Sequence, residues 1–165
     1  MARPLRIPGY SYTGVQRYFL TICTHNRAEH FRDAEIVALV IQQILYTARE
    51  QGVAIVAYVL MPDHVHLLVD GERDDADLKM FVKLAKQRSG YRFKQKHRTQ
   101  LWQKGYYEHV LRGEERTETV VFYIIANPIR KKLVENVMDY PFWGSGVCSR
   151  EELIASVGIR RLWRV

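Results

Sequence analysis

The order of elements in this sequence predicts an α+β fold of the ferredoxin-like or RRM-like kind. That is a mainly antiparallel βαββαβ sandwich with helices packed on one face of the sheet, extended by one more C-terminal helix. Three observations carry the prediction. Ile36, Val37, Val40, Ile41, Ile44, Leu45 and Ala48 recur at helical spacing. Short β-branched and aromatic runs flank that segment at 17–24, 53–60, 64–69 and 106–111. A chain of 165 residues with a hydrophobic fraction of 47% is long and apolar enough for one domain with a real core.

Each element has its own signal. Residues 1–14 form a basic arm containing Pro and Gly, with Arg3 and Arg6. The run from Arg17 to Thr24 is rich in aromatic and β-branched residues and reads as the first strand. Asp33 is placed as an N-cap for a helix that ends near Gly52. Two apolar runs follow, joined at Met61-Pro62-Asp63, and read as paired strands. Asp74 and Asp75 suit the positive end of a second helix, whose core face is Leu78, Phe81, Val82 and Ala85. A strand from Tyr106 to Leu111 comes next. Glu114 and Glu115 open a third helix through Val120, Val121, Ile124 and Ile125. Residues 1–149 are expected to be one domain, and 150–165 a tail made basic by Arg160, Arg161 and Arg164.

Charge narrows the function. Lys and Arg number 25 against 18 Asp and Glu, a net charge of +7. That balance favours a polyanionic partner, nucleic acid first. Cys23 and Cys148 are the only cysteines, with no Cys-x-x-Cys, which excludes a disulfide framework or a zinc ribbon and suits a reducing cytosol. With no leader pattern and no apolar run of membrane-spanning length, a cytoplasmic, nucleoid-associated protein with no membrane partner is expected.

The chemistry concentrates at His64-Val65-His66. In a strand, side chains at i and i+2 share a face. The two imidazoles therefore point the same way and make half of a metal site. Burying both without a partner would cost a few kcal/mol, at the order of an unmet hydrogen bond each. The competing reading is a pair of histidines satisfied by ordinary hydrogen bonds.

From Lys79 to Tyr107 there are nine basic residues and no acid: Lys79, Lys83, Lys86, Arg88, Arg92, Lys94, Lys96, Arg98 and Lys104. Lys79, Lys83 and Lys86 share one helical face. Tyr91, Phe93 and Trp102 are interleaved with them. Cations track a phosphate backbone while aromatics stack on unpaired bases, so these residues, Trp102 among them, are candidates for a DNA-binding face. A solvated helix face is the alternative.

Tyr123 and Asn127 are four residues apart and share a face on a helix. A phenol beside a metal-bound phosphate is placed to attack a phosphodiester, and the Asn127 amide oxygen is a candidate third ligand. Both residues also have plainer readings. Tyr123 suits a core-edge aromatic, and Asn127 before Pro128 suits an N-cap. Tyr91, Tyr106 and Tyr107 are rival nucleophiles.

Three blocks carry a family resemblance. Met61-Pro62-Asp63-His64-Val65-His66-Leu67-Leu68-Val69 resembles the histidine–hydrophobe–histidine block of single-tyrosine HUH transposases. Leu101-Trp102-Gln103-Lys104-Gly105-Tyr106-Tyr107-Glu108-His109-Val110-Leu111-Arg112 resembles the block that precedes their catalytic helix. Tyr123-Ile124-Ile125-Ala126-Asn127-Pro128-Ile129-Arg130-Lys131-Lys132-Leu133-Val134 resembles their catalytic-tyrosine block. The Asn-Pro form and the opening Ala2-Arg3-Pro4-Leu5-Arg6-Ile7 are similar to the REP-associated tyrosine transposase branch. The likeness spans roughly residues 1–145.

The resemblance implies roles. His64 and His66 would ligate Mg²⁺ or Mn²⁺, and Tyr123 would form a 5′-phosphotyrosine link to single-stranded DNA beside a hairpin. Asn127 stands where the insertion-sequence branch has a glutamine as third ligand. Asp63 stands where the family often has asparagine, and either orients a histidine or caps the turn. The basic arm would read guide bases, and the protein would act as a monomer or homodimer. A non-catalytic RRM-like module is the alternative of a different class, and it needs exposed aromatics on the central strands. A phosphodiesterase without a covalent intermediate would need more carboxylates near the histidines.

Overall fold

The computed structural model describes residues 10–111 and 116–158. Arg3 and Arg6, Glu114 and Glu115 (expected to open the third helix), and Arg160, Arg161 and Arg164 lie outside the described residues. In chain order the elements are β1 (Arg17–Cys23), α1 (Ala34–Glu50), β2 (Val53–Met61), β3 (His64–Gly71), α2 (Leu78–His97), β4 (Tyr107–Val110), α3 (Thr117–Ile125), α4 (Asn127–Arg130), β5 (Trp143–Gly144) and α5 (Arg150–Val157). Short 3-10 turns at His25–Arg27 and His30–Arg32 follow β1.

The five strands form one antiparallel sheet in the order β4-β1-β3-β2-β5, so the βαββαβ reading holds and β3 lies at its centre. A central strand is buried on both faces, and β3 is buried or half-buried at every position. Strand alternation then divides its side chains between two cores. Val65, Leu67 and Val69 join Leu20, Ile22, Val40, Ile44, Phe81 and Val82 beneath α1 and α2. On the other face, Leu68 joins Val59, Met61, Val121, Ile124, Ile125 and Trp143. The two sandwich helices α1 and α2 pack on one face as expected, while α3 and α5 cover the second face. A register shift between Ile55 and Ala57 exchanges the faces of β2, so that odd-numbered residues change core. Val53 and Ile55 pack with the first core, whereas Ala57, Val59 and Met61 pack with the second.

Local rules explain most element ends. Asp33 caps α1 as expected, its carboxylate accepting from the backbone N–H groups of Glu35 and Ile36. The start of α2 moves from Asp74-Asp75 to Asp77, whose side chain accepts from Met80 N–H at 3.0 Å. Asp75 instead pairs with Arg73 in the preceding turn. Ser149 caps α5 through a reciprocal capping box with Glu152, and Leu153 then enters the second core. Pro128 has no N–H for the Ile124 carbonyl, so the helix through Tyr123 stops at Ala126 and resumes as α4. The start of α3 is tied to the sheet by Arg17, which donates to both Asp70 and Thr117.

Candidate active site

The centre of the sheet aims both histidines under α3. In the β1–β3 register His66 lies opposite Thr21, and His64 opposite Cys23. Both imidazoles are buried, with 9% and 7% exposure for His64 and His66. Each ring has its Nδ1 engaged and its Nε2 turned to the other ring. His64 Nδ1 lies 2.6 Å from Asp63 Oδ1. His66 Nδ1 lies 2.8 Å from Thr21 Oγ1. The two Nε2 atoms are 3.1 Å apart.

The turn that carries Asp63 is held from outside the strand pair. Thr24 N–H and its hydroxyl both donate to the Asp63 carbonyl, and Phe31 N–H donates to Pro62. Arg27 Nε lies 2.8 Å from the second Asp63 oxygen. To reach it, the chain places Asn26 and Arg27 in succession at left-handed φ values of 52° and 57°. Asparagine tolerates that region; arginine there carries strain.

α3 and α4 bring the remaining pieces. Tyr123 is 39% exposed, and its ring sits edge-on to His66 and Phe19, with centroids 5.9 Å and 5.8 Å away. Arg130 covers the ring face, its guanidinium carbon 4.6 Å from the centroid. Tyr123 therefore sits at the edge of the core, with its ring on the cavity. Asn127 is buried at 3% exposure. Its Nδ2 has no hydrogen-bond partner among the described residues. The N-cap reading of Asn127 is set aside, because Asn127 lies inside α4 after Ala126. His64, His66, Asp63, Tyr123 and Asn127 line one cavity of about 560 Å³, with Lys131 at its rim.

Burial pushes His66 down to about 3, helped by the cations Arg27, Arg130 and Lys131 and by His64. Burial also lowers His64, against the pull of Asp63. Both rings are therefore neutral at neutral pH, which is the form that donates a lone pair to a metal. Among the described residues no group of three or more His, Cys, Asp or Glu side chains is arranged to hold a metal ion. The side chains of the cavity that could hold an ion are the two imidazoles and the Asn127 amide. Two nitrogens about 2.1 Å from one ion in neighbouring octahedral positions lie about 3 Å apart. The spacing of 3.1 Å between the Nε2 atoms fits that arrangement.

Other candidates move. Tyr107 lines the cavity, whereas Tyr106 packs against the opposite core, as alternation along a strand requires. Trp102 is corrected from a base-stacking residue to a core residue. It is 5% exposed, and its indole N–H donates to Ser89 Oγ at 2.9 Å. Phe93 is likewise buried, while Tyr91 is 64% exposed. Lys86 is corrected too: its ammonium donates to the carbonyls of Gln103 and Gly105, and burial lowers its pKa to about 8. Arg88 pairs with Glu50, Lys96 with Glu35, and Lys79 lies over the Tyr12 ring. Lys83, Arg92, Lys94, Arg98 and Lys104 remain exposed on the surface. Sequence reasoning missed Arg27, Arg130 and Thr21 at the site. Only Thr21 had a signal, as the polar residue of β1 that falls opposite a histidine.

The family profile for IS200-like transposases matches residues 14–127. A protein of Haemophilus influenzae, described as a candidate REP-associated tyrosine transposase, is 25% identical over 136 residues, covering 76% of this chain and 77% of its own. The REP-associated tyrosine transposase of Escherichia coli K12 is 26% identical over 125 residues, covering 76% of this chain and 73% of its own. The solved structure of a REP-associated tyrosine transposase bound to a REP hairpin is similar in fold, with a TM-score of 0.71 at 24% identity over 87% of this chain and 82% of that one. A crystal structure of a transposase candidate from Deinococcus radiodurans gives a TM-score of 0.52 at 26% identity over 74% of this chain and 97% of that one. The matched span runs from Gly14 through both histidines to the asparagine that lines the cavity, and this chain belongs to the IS200-like transposase family.

Proposed function

We propose that this chain cleaves and rejoins single-stranded DNA beside a hairpin through a 5′-phosphotyrosine intermediate on Tyr123. One observation carries the reading. Residues far apart in sequence line one cavity, the phenol of Tyr123 above two imidazoles whose Nε2 edges face each other 3.1 Å apart. The REP hairpin bound by the structural relative supports hairpin DNA as the substrate class.

In this reading His64, His66 and Asn127 hold Mg²⁺ or Mn²⁺, which supplies charge stabilisation at the scissile phosphate. Tyr123 Oη attacks phosphorus and loses its proton to solvent. The bond from phosphorus to the 3′-oxygen breaks, and that oxygen leaves as a 3′-hydroxyl. Attack by a different 3′-hydroxyl restores the phosphodiester and frees the phenol. Phe19 and His66 hold the Tyr123 ring edge-on, limiting its swing during attack. Lys131, which lines the cavity, and Arg130, which lies over the Tyr123 ring, supply positive charge for the phosphate. Within one copy of the chain the tyrosine and both histidines line the same cavity, which supports a monomer as the cleaving unit. The RRM-like binding-module alternative loses its platform, because α3 and α5 cover the sheet face it would use.

The test is a covalent adduct on a denaturing gel, with labelled single-stranded hairpin DNA and Mn²⁺. Wild type and Tyr107→Phe form the adduct, while Tyr123→Phe binds the DNA and forms none. An adduct that persists in Tyr123→Phe and disappears in Tyr107→Phe overturns the assignment.

A further inference from the structure

The two histidines have unlike partners at their outer nitrogens, and that difference has a chemical consequence. Asp63, ion-paired to Arg27, is a carboxylate and only accepts. His64 therefore carries its proton on Nδ1, where it donates to Asp63 Oδ1 at 2.6 Å, and its Nε2 is bare. His66 Nε2 lies 3.1 Å away. Two bare lone pairs at that distance repel, so without an ion the proton between them belongs to His66. His66 Nε2–H then donates to His64 Nε2, and His66 Nδ1 accepts from the Thr21 hydroxyl at 2.8 Å. A hydroxyl donates or accepts by rotating about one bond. When a divalent ion replaces the shared proton, His66 Nε2 has to be bare, and its proton has to sit on Nδ1 and donate to Thr21.

We propose that Asp63, braced by Arg27, is a fixed positioning residue and Thr21 a switchable one. Together they let ion binding move the His66 proton from Nε2 to Nδ1 while His64 stays unchanged. The proposal rests on the reading of His64 and His66 as ligands of a divalent ion. The proton leaves Nε2 to solvent and another arrives at Nδ1, so the exchange is balanced with no net proton released. The sequence carries the same asymmetry. Asp63 is the residue before His64 and cannot leave it, whereas Thr21 comes from a different strand and meets His66 only through the β1–β3 register. A carboxylate at position 21 would fix both rings with bare nitrogens facing each other. A valine would leave the ion-bound form of His66 with an unpaired buried N–H, at a cost comparable to a lost hydrogen bond.

The experiment uses the full chain labelled with ¹⁵N-histidine. Two-dimensional long-range ¹H–¹⁵N spectra report which ring nitrogen is protonated, and Zn²⁺ serves as a diamagnetic ion. Mn²⁺ affinity is measured separately by electron paramagnetic resonance, without DNA. Metal-free wild type should show His64 protonated at Nδ1 and His66 at Nε2. Zn²⁺ should move only the His66 proton. Thr21→Val and Asp63→Ala should each weaken Mn²⁺ binding about 10- to 100-fold, the usual effect of losing a residue that orients a ligand. Thr21→Ser and Asp63→Asn, which keep an acceptor, should stay within a few-fold of wild type, and a folded Thr21→Ser guards against loss of structure in the valine variant. A His66 proton on the same nitrogen with and without Zn²⁺ overturns the proposal, as does wild-type Mn²⁺ affinity in Thr21→Val. If wild type binds neither ion, the ligand reading itself fails, and the ion-driven switch falls with it. That outcome is distinct from normal binding with unmoved protons, which overturns the switch alone.

Discussion

Trp102 separates a core role from a DNA-contact role by measurement. In Trp102→Ala the lost ring is 5% exposed, tilts against Phe31 at a centroid distance of 5.6 Å, and donates to Ser89. Truncating a buried tryptophan costs about 3–5 kcal/mol. At about 2–4 °C per kcal/mol for a chain of this size, the thermal midpoint should fall by roughly 10 °C. Trp102→Phe isolates the hydrogen bond. Ser89 still donates to the Ala85 carbonyl, so only its acceptor side is left unmet, and the variant should lose about 1 kcal/mol for that bond plus a smaller packing loss. Thermal melts monitored by circular dichroism give the stability. Fluorescence anisotropy with single-stranded hairpin DNA, well below either midpoint, gives the affinity. A core role leaves affinity within about twofold of wild type, since no base contact worth about 1–3 kcal/mol is lost. A midpoint within about 2 °C of wild type, together with an affinity loss of more than about tenfold, would refute the reasoning.

The other predictions are direct. Asn127→Asp replaces an amide nitrogen that has no partner with a second oxygen, so it should tighten Mn²⁺ binding several-fold; unchanged affinity by electron paramagnetic resonance would show that this side chain is not a ligand. Lys86 titrates near 8 in the folded chain because burial disfavours its charge, against an ordinary value of 10.5. Between those values the unfolded chain holds a proton that the folded chain does not, so stability gained above pH 10.5 is lost as pH falls through about 8. Urea midpoints for wild type minus Lys86→Gln should therefore rise with pH across that window, and a flat difference contradicts the assignment. Lys83→Gln and Lys94→Gln neutralise exposed charges and should weaken hairpin binding while flattening its salt dependence, whereas Lys96→Gln, whose ammonium already pairs with Glu35, should do less. Equal effects at all three positions would remove the distinction between paired and open cations.

Some of this protein was legible in the sequence because the governing rules are local. The period of two in β3 sets His64 and His66 on one face, and the cap at Asp33 starts α1, whatever the rest of the chain does. The four-residue spacing of Tyr123 and Asn127 likewise survives the break at Pro128, because Asn127 is only one turn on. The family resemblance reached further than these rules, since it singled out Tyr123, which lines the same cavity as the two histidines. Seven of the nine cations of 79–107 are exposed, as a charged face requires, while Lys86 and Arg88 are half-buried. Charge runs say nothing about which members meet Glu50, Glu35 or a backbone carbonyl across the fold. Trp102 looked like a stacking aromatic because burial is a property of the neighbours, Phe31 and Ser89, which lie far from it in sequence. Only the tertiary structure decided that α3 covers the second sheet face, that Thr21 meets His66, and that Arg27 braces Asp63. Each of those is a contact between segments brought together by sheet register and helix packing, and no periodicity within one segment encodes it.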